Sequence, residues 1–172
     1  MLHSDSSQLV KIYLDDHWAG AGAGLNLARR MMRNNQGTAW IDDLSWVAAQ
    51  IEADHRVLAD IRKRLGVEGG GVKRRLAVLG ERVARLKPNG RIIGYSPLSR
   101  VLEAEALISG VVAKRNLWAG LHQGLVGVEF PGVDFESLQE RADEQLELLR
   151  SIHREAVSLA FGADAHRRVV SS

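Results

Sequence analysis

Glu52-Ala53-Asp54-His55 places a carboxylate and an imidazole three residues apart, the spacing that brings both onto one face of a helix, where they could bind a single metal ion. Other polar residues interrupt what should be apolar stripes: His17, with Asp16 at its edge, Glu105 and His153. Their heights agree in pairs. His17 and His55 are equidistant from a loop centred near Gln36, and Glu105 and His153 from one centred near Glu129, so antiparallel packing levels each pair. The chemistry within reach is carboxylate and imidazole ligation of a transition metal. The chain has no Cys, which removes thiolate zinc sites, iron–sulfur clusters, cysteine nucleophiles and redox switching. Arg150, three residues before His153, opposes this reading, because a fixed cation beside a dication repels it. The competing reading is a structural network in which Arg150 pairs with Glu52 or Glu105 and carboxylates satisfy the histidines.

Helices must position these residues. Apolar or small residues recur at three-and-four spacing in Leu9, Tyr13, His17, Gly20, Gly24, Leu27 and Met31, which predicts a helix over about 8–34. Gly20 and Gly24 lower its helix propensity by about 1 kcal/mol each, an expense that close approach of a neighbouring helix would offset. A second helix over 38–65 carries Leu44, Val47, Ile51, His55, Leu58, Ile61 and Leu65, with Gly66 as a left-handed stop. Val72, Leu76, Leu79, Val83 and Leu86 mark a short helix over 72–86, ended by the turn chemistry of Pro88-Asn89-Gly90. Ser96-Pro97 reads as an N-cap and first helical residue of a helix over 97–123, with Leu98, Val101, Glu105, Ile108, Val112 and Trp118 as its stripe. Asp134 caps the last helix, 134–161, with Val133 and Leu138 as a hydrophobic staple and Leu138, Ala142, Leu149, Ile152, Ala156 and Leu159 facing inward. No segment alternates with period two, so the fold class is all-α: one domain, 1–172, of two long-helix hairpins packed as a four-helix bundle, with an extra short helix in their connection. A plain up-down-up-down course levels Glu105 with His55 better than a connection running the whole bundle.

With two hairpins, a long connection and the Glu52-x-x-His55 unit on the page, the chain resembles the ferritin-like superfamily, whose members hold two iron or manganese ions between four helices. The resemblance implies Asp16 or His17 as the first helix's ligand, Glu52 and His55 as one unit, Glu105 from the fourth helix and His153 as the remaining imidazole. The stretches Tyr13-Leu14-Asp15-Asp16-His17-Trp18-Ala19-Gly20 and Arg85-Leu86-Lys87-Pro88-Asn89-Gly90-Arg91, continued by Ser96-Pro97-Leu98-Ser99, look like a bacterial family of similar length with no assigned activity. The expectation that follows is a bundle without a cofactor, in a structural or protein-interaction role rather than as an enzyme. Iron or manganese chemistry, as an oxidase or a metal store, is the alternative.

The 172 residues, 45% apolar and 26% charged, suffice for one core without a crosslink. The N-terminus has no export leader, and no apolar run spans a membrane, so a cytoplasmic protein with no membrane partner is expected. Net charge +2 hides an asymmetry. Residues 72–91 hold Lys73, Arg74, Arg75, Arg82, Arg85, Lys87 and Arg91 against Glu81 alone. Such a patch could meet nucleic-acid phosphates, but without aromatics to stack on bases it reads first as a solvated face or one docked on the acidic last helix. Trp46, off the main stripe, marks a second contact face and with it a homodimer. No Gly-x-Ser-x-Gly elbow suggests a hydrolase.

Overall fold

The computed structural model describes residues 4–67, 95–125 and 127–162. Within them all regular structure is α-helical: α1 (Ser4–Asn34), α2 (Ile41–Arg64), α3 (Pro97–Gly124) and α4 (Phe135–Phe161). The expected short helix at 72–86 lies outside the described residues. Local signals set the ends. Ser96 Oγ accepts from the Ser99 backbone N–H with Pro97 at the first helical position, and Asp134 accepts from the backbone N–H groups of Glu136 and Ser137. Gly66, at φ +64°, closes α2 through Gly66 N–H to Lys63 O and Val67 N–H to Arg62 O, a left-handed stop that a side chain would strain. Thr38 does not open α2. Its hydroxyl donates to Asn35 O and accepts from Trp40 N–H, so it closes the turn, and the helix begins at Ile41.

Each helix packs against two others, α1 and α4 both lying between α2 and α3. Side-chain pairs fix the directions. Asp15 meets Arg62 and Arg29 meets Glu52, which makes α1 and α2 antiparallel. Arg115–Asp143 with Glu105–His153 does the same for α3 and α4, Arg30–Glu103 with Tyr13–Asn116 for α1 and α3, and Trp40–Glu155 with Arg141–Asp54 for α2 and α4. All four seams are therefore antiparallel, while α2 and α3 run the same way across the diagonal. The course is up-down-down-up rather than up-down-up-down, and the chain between Val67 and Tyr95 joins opposite ends of the bundle.

The interior has two apolar clusters. One gathers Leu25, Ala28, Met31, Leu44, Val47, Ile51, Ala104, Leu107, Leu149 and Ile152; the other gathers Leu14, Leu58, Ile61, Val67, Leu117, Trp118, Leu121, Phe130 and Leu138. The buried stripe of α3 is Val101, Ala104, Leu107, Val111, Leu117, Trp118 and Leu121: Val101 and Trp118 are buried as expected, but between them the stripe runs one residue earlier than expected, and Leu98, Glu105 and Val112 face outward. The helix is apolar around much of its circumference, and the small Ala104 marks the side that two neighbours can approach. Close approach occurs at Gly120, where a Cβ would lie 3.1 Å from the Tyr13 hydroxyl. At Gly20, Gly22 and Gly24 a Cβ would meet nothing within 4 Å, so the contact expected to offset those glycines is not made by the described residues.

Candidate functional site

The sequence-selected residues are placed at the surface or half-buried, in separate pairs. Glu52, with 40% of its side chain exposed, binds Arg29 at 2.9 Å and faces Arg56 at 3.8 Å; the hydrogen bond from Arg29 holds its carboxyl below the usual range. His55 stacks on Trp18 at 4.2 Å between ring centroids. His17 meets the edge of Tyr13 at 4.5 Å, and Asp16 is exposed. His153 Nε2 lies 3.1 Å from Glu105 Oε1, so that expected level pair forms, on the outside of the bundle. Arg150 is exposed, and its anticipated place beside the carboxylates is taken by Arg29 and Arg56 at Glu52 and by His153 at Glu105. Among the described residues no group of three or more His, Asp or Glu stands close enough to hold a metal ion. The basic residues Lys73 to Arg91 lie outside the described residues.

Burial pushes the His17 and His55 imidazoles below their ordinary value of 6.5; Asp16 opposes the shift at His17, and at His55 Arg29 reinforces it while Glu52 opposes it. Between each lowered value and 6.5 the unfolded chain binds protons that the folded chain does not, so stability rises with pH through that window. The contribution is complete above 6.5 and lost as pH falls. Urea midpoints should therefore drop between pH 7 and pH 5.5, and a His17→Gln/His55→Gln variant should drop less. An equal drop in both proteins would remove these histidines from the account.

The interior holds a different polar cluster. Asp54 on α2 is 1% exposed, and Gln145 on α4 is fully buried. Lys114 reaches from α3 across the diagonal, its Nζ 2.5 Å from both Asp54 Oδ2 and Gln145 Oε1. Arg141 from α4 donates through Nε, at 3.0 Å, and through Nη2 to Asp54 Oδ1, and Gln145 Nε2 donates to Asp54 Oδ2 at 3.2 Å. Both carboxylate oxygens are thus satisfied twice, as a buried charge requires. One anion meets two cations, and burial, reinforced by Arg141 and opposed by Asp54, draws the Lys114 pKa down. The signal was present in the longer spacing: Leu44, Val47, Ile51, Asp54, Leu58 and Ile61 alternate steps of three and four without a break, whereas His55 in place of Asp54 gives two steps of four followed by two of three, and Gln145 fills the gap between Ala142 and Leu149.

Two further polar clusters close the ends. Arg62, only 8% exposed, pairs with Asp15 at 2.6 Å and covers the Trp18 ring at 4.8 Å. At the other end, buried Asn35 donates to Met31 O and Tyr95 Oη and accepts from Arg100 Nε, while Tyr95 Oη donates to Glu103. Burial, with the Glu103 carboxylate adding to it, pushes the Tyr95 phenol up to about 12. Its O–H therefore remains a donor throughout the neutral range.

Among the described residues, fold and interior together define an all-α arrangement of four helices with antiparallel seams and a charged layer at mid-height. No protein-family model, curated protein or solved structure matches the chain. No described helix is long and apolar enough to cross a membrane.

Proposed function

We propose that the chain is a ferritin-like bundle that works without a bound metal, as a structural or protein-interaction module. The observation that carries this reading is the state of Asp54, the fully buried carboxylate of the described residues: Lys114, Arg141 and Gln145 occupy the ligand directions of both its oxygens. A dication there would have to displace two fixed cations. The four antiparallel seams and the end-to-end connection support the ferritin-like part of the proposal. The interaction role draws on apolar side chains left in solvent at the two ends, Leu9 at 66% exposure, Leu159 at 64% and Phe161 at 56%. Trp46, the earlier mark of a dimer face, packs partly buried against the core of its own chain.

Metal analysis of protein produced in iron- and manganese-supplemented medium tests the proposal. The expected content is well below one ion per chain and unchanged by Glu52→Ala or His55→Ala. About two ions per chain, lost in those variants, would establish the di-metal alternative seen across four-helix carboxylate proteins.

A further inference from the structure

One long side of the bundle differs in composition from the rest. Leu9, Tyr13, Gly120 and Gly124 line an apolar groove between the start of α1 and the end of α3. Continued at helical spacing, the same side presents Leu9, Ile12, Asp16, Gly20, Ala23 and Leu27 from α1, and Ala106, Ser109, Ala113, Asn116, Gly120 and Gly124 from α3. Asp16 is the one charged side chain among these twelve residues. The five charged side chains of α3 are each bonded within the chain: Arg100 to Asn35, Glu103 to Arg30, Glu105 to His153, Lys114 to Asp54 and Arg115 to Asp143. α4 is the contrast, with Glu136, Glu140, Glu144, Glu147, Arg150 and Arg154 all exposed.

A helix that faces water turns charge outward, whereas one apolar on every side is normally covered. Leu9 is nevertheless 66% exposed and Ile12 40%, and Ser109, Ala113, Asn116 and Gly124 are exposed as well. At Gly20, Gly24, Gly110 and Gly124 a Cβ would meet nothing within 4 Å, so both backbones stand open to close approach. The side is about 20 Å wide, two helix diameters, and about 27 Å long between the levels of Leu9 and Leu27 at 1.5 Å per residue. Two copies joined there cover roughly 1,100 Å², above the ~1,000 Å² that a specific interface needs.

We infer that this side is the contact face of a homodimer, its two-fold axis parallel to the helices, so that α1 of each copy lies on α3 of the other. Shape selects the axis. Arg30–Glu103 and Tyr13–Asn116 put Leu9 at the level of Gly120 to Gly124, and Gly20 at the level of Gly110. Placing α1 over α3 therefore seats the projecting Leu9 and Ile12 of each copy over the glycine-floored groove of the other and sets Gly20 against Gly110. A perpendicular axis would stack Leu9 on Leu27 and leave the grooves unfilled. An isologous contact requires such self-complementarity, and a second copy offers a surface as free of charge as the one it covers. The inference rests on the interaction role proposed above and names its partner.

Sedimentation velocity of the full chain, from low micromolar to submillimolar concentration, should show the mass rising to that of two chains. Ala113→Glu puts a carboxylate at the centre of the face from an exposed position, and it should weaken association at least tenfold with helix content by circular dichroism unchanged. Leu159→Glu, at an exposed position on α4 outside the face, should leave association as it is. The chain has no Cys, so disulfide trapping is clean. An equal mixture of Leu9→Cys and Gly124→Cys chains should give the mixed disulfide as the main crosslinked species. A one-chain mass at every concentration, an Ala113→Glu protein that associates as well as the parent, or a mixture without the mixed disulfide would each overturn the dimer. A monomer that still holds well below one ion per chain would do so while leaving the metal-free reading in place.

Discussion

Asp54→Asn should lower unfolding stability by about 3–5 kcal/mol, the cost of leaving buried cations without their anion. The two side chains are nearly isosteric, so the loss reports charge rather than a cavity. Lys114 and Arg141 would then face each other across a neutral amide, with only Gln145 as a further acceptor for Lys114. Adding Lys114→Met should recover part of the loss by removing the more enclosed cation, whose side chain is 15% exposed against 29% for Arg141. Urea unfolding of the parent, single and double variants measures both steps. A loss below about 1 kcal/mol for Asp54→Asn, or a further loss in the double variant, would show that the layer does not act as a charge-balanced unit.

Trp118→Ala should cost about 3–5 kcal/mol, because it opens a cavity inside a fully buried apolar cluster. Trp118 is the largest fully buried side chain and lies among Leu14, Leu58, Leu117 and Leu121. Trp118→Phe should cost far less. Its Nε1–H is buried without a hydrogen-bond partner among the described residues, so replacing indole by phenyl forfeits apolar contact but no polar bond. Equal losses for the two substitutions, read from denaturant midpoints at constant slope, would mean that the indole N–H does contribute.

Helix existence and the two capped starts were readable from local chemistry alone: Ser96-Pro97, Asp134 and Gly66 act within a few residues of themselves, and neighbours do not alter what they do. Azimuth was harder to read. On α2 the choice between Asp54 and His55 as the inward residue turns on one position, and imidazole looks the more natural core residue until two cations are known to converge from other helices. On α3, apolar residues cover so much of the surface that periodicity selects no single stripe, and only the packing of α1 and α4 settles that Leu107 is buried while Leu98 is not. The direction of α3 relative to α2 left no local trace either, since both courses bury four stripes. The candidate site suffered from the same ambiguity: Glu105 and His153 are level and bonded as their spacing required, yet they point outward.

The charged layer divides between the two hairpins in a telling way. Asp54 comes from the first, whereas Lys114, Arg141 and Gln145 all come from the second. Each hairpin can close through contacts near in sequence, and the half-molecules then meet. Two copies of the second half would bring four interior cations together with no anion, and two copies of the first would bury a pair of facing carboxylates; both encounters are repelled by several kcal/mol. Only the mixed encounter neutralises the layer. The polar centre thereby acts as a lock and key between unlike halves, disfavouring the pairing of two first hairpins or two second hairpins that a purely apolar seam would permit.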